Sequence, residues 1–239
     1  YIIRRSSNLS KQSHILAANL DLVVLVITIR YPETSTIFID RFIASAEAYN
    51  VPACILINKI DLYTEDEMQY AEALKTLYES IGYPVFMLSA LKPDTFDTFK
   101  QFLTGKTILI SGNSGVGKST LINAILPESL AKTGEISSYH NKGTHTTTFS
   151  QLYQLENGAK LIDTPGIKGF GTVDMEIDEI SHYFKEIFKT SKKCRFTNCT
   201  HVHEPGCAVL SAVENHQISL SRYQSYLSIL SDFETGKYR

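Results

Sequence analysis

The sequence lacks an apolar run long enough to cross a bilayer, which takes about 20 residues in a helix. Residues 20–29 (LDLVVLVITI) reach about half that length and predict a strand instead. A secretory signal is also missing, since residues 1–10 are polar, and the first residue is Tyr1 rather than methionine. We therefore expect no membrane partner, a cytoplasmic location, and further residues upstream of Tyr1.

Neither sign of charge dominates, because 23 lysine and arginine residues face 25 acidic ones and the net charge is −2. The chain as a whole is thus not a polyanion binder, and any contact with nucleic acid has to be a local patch. Internal repeats and low-complexity tracts are absent as well. With 43% hydrophobic residues over 239 positions, the chain can bury a core and hold more than one domain.

What the sequence does contain is a glycine-rich stretch at residues 112–120, GNSGVGKST, that fits G-x-x-x-x-G-K-[ST] at every fixed position. A predicted strand (106–111) precedes it and helical spacing (121–126) follows. In that setting, backbone N–H groups and a helix N-terminus cradle phosphates. Lys118 would reach the β- and γ-phosphates, and Ser119 would coordinate Mg²⁺. The predicted nucleotide-binding residues are Gly112, Asn113, Ser114, Gly115, Val116, Gly117, Lys118, Ser119 and Thr120.

Strands and helices alternate around this loop, which predicts an α/β fold with a mostly parallel sheet and helices on both faces. The predicted strands are 21–29, 52–57, 84–88, 106–111, 148–155 and 160–162, and the predicted helices are 36–49, 66–81, 94–103 and 121–126. Asn157-Gly158 predicts a hairpin turn between the last two strands.

The pattern changes after residue 170, where helices are predicted at 174–188, 207–215 and 220–232. We therefore predict a leading segment or linker (1–19), an α/β domain (20–170) and a small helical C-terminal domain (171–239).

Residues 58–61 (NKID) directly follow a predicted buried strand and match N-K-x-D. A carboxylate at Asp61 can accept hydrogen bonds from the ring N–H and the exocyclic amine of guanine. Adenine lacks that pair and would leave the carboxylate unsatisfied. Taken alone, the tetrapeptide could equally be a solvated turn. The predicted base-binding residues are Asn58, Lys59, Ile60, Asp61, Ser89 and Ala90.

Residues 163–166 (DTPG) match D-x-x-G after another predicted strand. Asp163 could hold Mg²⁺ through water, and the Gly166 N–H could meet the γ-phosphate. The polar loop before this motif offers Thr146 and Thr147 as candidates for a threonine that closes over Mg²⁺, and Thr147 is the one predicted to ligate it.

The order of these motifs differs from that in Ras-like GTPases, where N-K-x-D and S-A come last. Here they come first, which predicts a circular permutation of a GTPase domain. Ras-like enzymes also orient the attacking water with a glutamine directly after D-x-x-G. Ile167 occupies that place and cannot do so, so His145 is the nearest candidate catalytic residue. A solvated loop histidine is the alternative for His145.

Three cysteines and a histidine lie within fourteen residues, at Cys194, Cys199, His201 and Cys207. This spacing predicts a closed, structural Zn²⁺ site, with His203 as a competitor for the imidazole position. The cations Lys189, Lys192, Lys193 and Arg195 stand beside it, as a solvated face or as a patch for the RNA backbone.

The permuted order and the cysteine pattern together resemble the small ribosomal subunit biogenesis GTPase A family (RsgA type). The resemblance rests on NKID, GNSGVGKST, GTHTTT (143–148), DTPG and CRFTNCTHVHEPGC (194–207). It implies a GTPase that acts late in maturation of the small ribosomal subunit and is stimulated by it, with rRNA as a partner and GTP/GDP, Mg²⁺ and one Zn²⁺ as ligands. Family members also carry an N-terminal OB-fold domain, which this sequence does not include. Thr144 replaces an arginine usual in the family.

Two other interpretations stay open. The protein could be a monomeric RNA- or ribosome-binding switch that binds GTP with negligible turnover, which Ile167 favours. A P-loop ATPase or kinase is the other, and Asp61 argues against it.

Overall fold

The computed structural model describes residues 2–5, 13–17, 19–126, 151–163 and 175–234. The strands in this part of the chain are β1 (Ile2–Arg5), β2 (Ser13–Ala17), β3 (Leu22–Ile27), β4 (Ala53–Ile57), β5 (Val85–Met87), β6 (Thr107–Ser111), β7 (Gln151–Gln154) and β8 (Lys160–Asp163). The α-helices are α1 (Thr36–Ala48), α2 (Glu65–Ile81), α3 (Asp97–Leu103), α4 (Lys118–Ile125), α5 (Lys185–Ser191), α6 (Ala208–Glu214) and α7 (Leu220–Glu234). Of these helices, none combines the length and the apolar character needed to cross a bilayer.

A six-stranded sheet in the order β5-β4-β3-β6-β8-β7 forms the centre of the fold. Neighbouring strands run parallel except β7 and β8, which pair antiparallel around the Asn157-Gly158 turn. The predicted α/β class, mostly parallel sheet and hairpin are therefore confirmed.

The central strand β3 is buried along its whole length because helices cover both faces of the sheet. Alternate residues point to opposite sides, as the pleat requires. Val23, Leu25 and Ile27 join the core that includes residues of α1 and α2. Val24 and Val26 join the core that includes residues of α3 and α4. Each such side chain contributes about 1.5–3 kcal/mol by leaving water, so β3 holds the two layers together.

The direction of strand addition reverses between β3 and β6. Chain segments after β3 build outward through β4 to β5, whereas segments after β6 build the other way through β8 to β7. In open α/β sheets such a reversal leaves a crevice beyond the carboxyl ends of the strands, where ligands bind. The loops that follow β3, β4 and β6 all begin at this crevice, and Asp163 ends β8 beside them.

Two parts of the chain differ from the predicted elements. The leading segment, predicted as a linker, contains β1 and β2, which pair antiparallel with Ile3 opposite Ile15. The helix predicted at 174–188 is wrong, since a 3-10 helix (Ile177–Tyr183) and α5 occupy that stretch. Phe184 separates them in an extended conformation, with φ −113° and ψ 96°. Its buried ring packs edge-on against Tyr226, and this anchoring interrupts the helical period. The predicted boundary at residue 170 lies outside the described residues.

A buried ion-pair network joins the C-terminal helices to α1. Arg222 of α7 is fully buried and donates to Asp40 of α1 at 2.7 Å and to Glu186 of α5 at 2.7 and 3.2 Å. Tyr78 of α2 donates a 2.7 Å hydrogen bond to the same Asp40 oxygen. The guanidinium group also lies 4.6 Å from the ring centre of Phe184. Each charged side chain in this network is therefore within hydrogen-bond distance of a side chain of opposite charge.

Replacing the central cation tests this network. We expect Arg222→Met to lower the free energy of unfolding by about 3–5 kcal/mol, because Asp40 and Glu186 would stay in the interior without a counter-charge. The control is Arg30→Met, whose exposed pair with Glu67 (3.0 Å) should contribute less than about 1 kcal/mol. Urea denaturation followed by circular dichroism measures both, and equal losses for the two variants would contradict the assignment.

Candidate nucleotide site and metal centre

Asn58, directly after β4, connects the N-K-x-D loop (residues 58–61) to the phosphate loop (residues 112–120). Its fully buried side chain donates from Nδ2 to the Val116 carbonyl at 2.8 Å. Its Oδ1 accepts from the Ala90 N–H at 3.0 Å, and its own backbone N–H donates to the Ile27 carbonyl at 2.9 Å. One amide therefore holds together three of the loops that the sequence singled out.

Lys59 makes a second connection between the same loops. Its Nζ donates to the carbonyls of Gly115 at 2.7 Å and Tyr31 at 2.5 Å. The backbone of Lys59 is left-handed, with φ 64°, which turns the chain directly after Asn58. The half-buried Asp61 follows in a short 3-10 helix, Ile60–Leu62. The predicted base-binding carboxylate thus lies two residues from the contact with the phosphate loop.

The phosphate loop approaches its neighbours so closely that two of its glycines leave no room for a side chain. A Cβ atom at Gly117, where φ is +94°, would lie 2.5 Å from Asn58 Nδ2. A Cβ atom at Gly112, where φ is +147°, would lie 2.2 Å from the Val26 carbonyl oxygen. Glycine at these two positions therefore lets the phosphate loop pack directly against the ends of β3 and β4.

Lys118 and Asp163 provide opposite charges at this end of the sheet. Lys118 begins α4, and its Nζ donates to the carbonyls of Gly112 at 2.7 Å and Asn113 at 2.8 Å. Burial lowers the pKa of Lys118, and the nearby Asp163 opposes that shift. Burial likewise raises the pKa of Asp163, and Lys118 opposes it. A carboxylate suited to a divalent cation therefore faces an ammonium group suited to phosphate.

Some of the remaining predicted site residues lie in the described part of the chain, and the others lie outside it. Ser119 and Thr120 are exposed in the first turn of α4, next to Lys118. Ser89 is buried in the loop that follows β5, where the Ala90 N–H donates to Asn58. His145, Thr146, Thr147, Gly166 and Ile167 lie outside the described residues.

Sequence reasoning missed two contributors to this site, the loop at residues 28–34 and Tyr63. The loop follows β3 and supplies the Tyr31 carbonyl to Lys59, while Pro32 lies under the phosphate loop at Gly115. The Tyr63 hydroxyl donates to the Asn58 carbonyl at 2.5 Å and accepts from the Ile29 N–H at 2.9 Å. Burial raises the pKa of Tyr63 to about 12. No motif in the sequence marks either feature.

The predicted metal ligands Cys194, Cys199, His201 and Cys207 come together, with their ligand atoms within 4.8 Å of one another. The Sγ atoms of Cys194 and Cys207 are 3.9 Å apart, and they lie 3.6 and 3.5 Å from His201 Nδ1. Tetrahedral Zn²⁺ with Zn–S and Zn–N bonds of about 2.3 and 2.1 Å would space such atoms by about 3.8 and 3.6 Å. The residues therefore fit a structural Zn²⁺ site.

The surroundings of His201 settle which imidazole belongs to this cluster. His201 is buried, and its backbone is left-handed with φ 60°. Hydroxyl groups of α7 hold it there, since Tyr223 donates to the His201 carbonyl and Tyr226 to the Thr200 carbonyl, each at 2.7 Å. His203 is exposed and does not join the cluster.

The Glu204 carboxylate closes the same loop. It accepts from the N–H groups of Thr200, Val202 and His203 at 2.5, 3.0 and 3.2 Å, and from the Thr200 hydroxyl at 2.5 Å. Although burial favours the protonated acid, these hydrogen bonds, led by the Thr200 side chain, lower the pKa of Glu204 to about 2. The loop that carries His201 is therefore shaped by hydrogen bonds as well as by ligand spacing.

The fold and the site together define a P-loop GTPase whose chain order is circularly permuted. The RsgA GTPase family model matches residues 2–173 of this chain. The chain belongs to the RsgA GTPase family, and it is a GTPase.

Curated relatives and solved structures agree with this assignment. The small ribosomal subunit biogenesis GTPase RsgA of Phocaeicola vulgatus is 66% identical over all of this chain and 77% of its own length. The protein of the same name from Porphyromonas gingivalis is 56% identical, again over all of this chain and 77% of its length. YjeQ from Thermotoga maritima superposes with a TM-score of 0.76 at 38% identity, over 90% of this chain and 71% of that one. YloQ, described as a circularly permuted GTPase, gives 0.76 at 30% identity, over 92% and 70%.

The Tyr63 hydroxyl can be removed without changing the shape of the ring. We expect Tyr63→Phe to weaken GDP binding about fivefold or more, because the Ile29 N–H loses its acceptor and the N-K-x-D loop loses a brace worth about 1 kcal/mol. Tyr70→Phe, an exposed tyrosine on α2, serves as the control and should bind as the parent does. Titration with a fluorescent GDP analogue gives the two affinities, and indistinguishable values would remove Tyr63 from the site.

Zinc content tests the metal centre. We expect about one Zn²⁺ per chain in the purified protein, no bound zinc in His201→Ala or Cys199→Ala, and retained zinc in His203→Ala and Cys54→Ala. Cys54 is a suitable control because it is a buried thiol of β4 outside the cluster. Native mass spectrometry counts the metal. Zinc lost from His203→Ala and kept by His201→Ala would reverse the assignment.

Proposed function

We propose that the protein hydrolyses GTP as a factor in biogenesis of the small ribosomal subunit. The observation that carries this proposal is the Asn58 hydrogen bond to the Val116 carbonyl, 2.8 Å long, which joins a guanine-type loop to a phosphate loop. The function named for the relatives, at up to 66% identity over the whole chain, supplies the biological process.

In this proposal the base is recognised after β4 and β5. The Asp61 carboxylate accepts from the ring N–H and exocyclic amine of guanine, and the stem of Lys59 lies along the base. Asn58 fixes the position of the loop that carries Asp61 relative to the phosphate loop. Ser89 and Ala90 complete the base pocket. An adenine ring would leave Asp61 unsatisfied, at a cost of about 1–3 kcal/mol or more.

The phosphates are bound after β6 and β8. The N–H groups of residues 112–118 surround the phosphate chain, and Lys118 neutralises charge on its β- and γ-groups. Mg²⁺ would be held by Ser119, Thr147 and Asp163, and when bound it neutralises developing charge on the phosphate oxygens. Thr146 closes over the site beside Thr147, and the Gly166 N–H meets the γ-phosphate.

Water positioning distinguishes this enzyme from Ras-like GTPases in our proposal. Ile167 has no group that can orient water, so turnover is slow until the ribosomal subunit completes the site. His145 then positions the attacking water. Binding of nucleotide does not depend on His145.

The partner is the small ribosomal subunit with its rRNA, met by a cytoplasmic monomer without a membrane contact. Support for an RNA contact comes from the segment of residues 188–196, in which four cations and no acidic residue occur. Among the described residues, these four cations take part in no ion pair. In this proposal the chain divides into the segment 1–19, a GTPase domain (20–170) and a zinc-binding domain (171–239).

A second candidate keeps the same nucleotide and partner but lacks turnover. Ile167 favours it, because a switch that only binds GTP needs no group to orient water. The protein would then report nucleotide state to the subunit, and release would follow from nucleotide exchange.

Hydrolysis of GTP measured with and without small ribosomal subunits separates the two. We expect slow turnover by the protein alone and a rise of about a hundredfold or more with subunits, which is the lower end for a positioned acid–base side chain. ATP should not be hydrolysed. Lys118→Ala should lose both rates, whereas His145→Ala should lose only the stimulated rate and keep its affinity for GDP.

The control for His145→Ala is His216→Asn, an exposed histidine of the C-terminal region. GTP that binds but is not hydrolysed, with or without subunits, would reject the enzyme and leave the switch. Full stimulated turnover by His145→Ala would reject the role of that histidine alone.

A further inference from the structure

A cleft of about 590 Å³ opens beside the metal centre, away from the nucleotide-binding loops. The 3-10 helix Ile177–Tyr183 forms one wall, and the metal-binding loop, residues 196–203, forms the other. Tyr226 and Leu230 of α7 form part of its buried lining. In the described part of the chain, no residue of the nucleotide site lines this space. Its volume falls within the roughly 300–1,000 Å³ typical of ligand sites.

Aromatic side chains and cations contact one another at this cleft. Phe196 lines it, is exposed, and has the Arg195 guanidinium 5.4 Å from its ring centre. His182 also lines the cleft and contacts Phe188 in a tilted arrangement, with ring centres 4.6 Å apart and Lys192 Nζ 5.2 Å from the Phe188 ring. Aromatic rings alternating with cations are the surface on which single-stranded nucleic acid binds, bases on rings and phosphates on cations.

The walls of the cleft offer hydrogen-bond partners for the edge of a base. Asp178 on one wall is a pure acceptor for an exocyclic amine or a ring N–H. Asn198 on the other wall offers both a donor and an acceptor. A buried apolar floor with a few polar groups on the walls suits a planar, polar-edged ligand better than an aliphatic one.

Charge decides what kind of chain such a ligand belongs to. Lys189, Lys192, Lys193 and Arg195 are all exposed, and they belong to the segment that supplies the lining residues Ser191 and Phe196. Their ammonium and guanidinium groups would attract a phosphodiester backbone.

We propose that this cleft receives one unstacked base of a single-stranded RNA segment, with the flanking phosphates on the cations of residues 189–195. The base stacks between Phe196 and His182, and its edge faces Asp178 and Asn198. This inference rests on the proposed RNA contact and deepens it, because it names the RNA element that is bound and the residues that bind its base.

A paired set of oligonucleotides tests the proposal with the full, zinc-loaded chain. One is a ten-nucleotide single-stranded RNA of mixed sequence, and the other has the same phosphates but abasic central positions. We expect the parent protein to bind the first about five- to a hundredfold more tightly, which is the range for stacking one base on an aromatic side chain. Fluorescence anisotropy at fixed salt gives both affinities.

Variants assign that difference to the cleft. In Phe196→Ala the two RNAs should bind alike, whereas in Tyr70→Ala, an exposed aromatic on α2, the difference should persist. Lys192→Ala should weaken both RNAs about equally and lower the salt dependence. Zinc content, which Phe196→Ala should retain, shows that the region remains folded.

The outcomes separate this inference from the proposed function. Equal binding of both RNAs to the parent would overturn the base-binding cleft while leaving backbone contacts by the cations intact. A difference that survives in Phe196→Ala would place the base elsewhere and would also overturn it. Absence of binding to either RNA, or binding only of a protein component of the subunit, would overturn it too, whereas the proposed function is judged separately by subunit-stimulated hydrolysis.

Discussion

The nucleotide site depends on a single buried amide, that of Asn58. Its nitrogen donates to the phosphate loop at Val116, and its oxygen accepts from the loop after β5 at Ala90. Both ends of the amide are occupied and the side chain is fully buried, so losing either bond would cost about 1–3 kcal/mol. Together with the contact of Lys59 Nζ to the Gly115 carbonyl, this amide sets the separation between the N-K-x-D loop and the phosphate loop.

This constraint explains why the chain order can be permuted without loss of the site. The contacts of Asn58 join strand ends that lie side by side in space, in the sheet order β5-β4-β3-β6-β8-β7. Only the connections between strands depend on where the chain begins, whereas the parallel register across β4, β3 and β6 does not. Compact domains tolerate such rotations when their original termini lie close together. The loops therefore meet at the same crevice whichever motif comes first in the sequence.

The sequence predicted features that depend on residues close together along the chain. It did not predict contacts between residues that are far apart in the sequence. The strand–loop–helix around Lys118 and the closely spaced cysteines could be predicted, because spacing along the chain encodes them. Tyr63 could not, since its partner Ile29 is 34 positions away. Arg222 and Asp40 are 182 positions apart, and no periodicity links them. The helix predicted at 174–188 is wrong because it is interrupted at Phe184, whose burial against Tyr226 overrides the helical spacing of the neighbouring residues.

The ion pairs on α1 fix the position of the C-terminal helices relative to the nucleotide-binding loops. Buried ion pairs such as Arg222 with Asp40 add little stability over apolar contacts. If α7 packed on α1 in another alignment, however, both charges would be buried without a partner. They therefore specify where α7 lies on α1, and Arg41 of α1 adds a 2.5 Å contact to Asp232. The same helix follows the loop at 28–34, whose Tyr31 carbonyl accepts from Lys59 at the phosphate loop. Because α1 has fixed partners on both sides, the metal-binding region cannot shift relative to the nucleotide crevice without breaking a buried charge network.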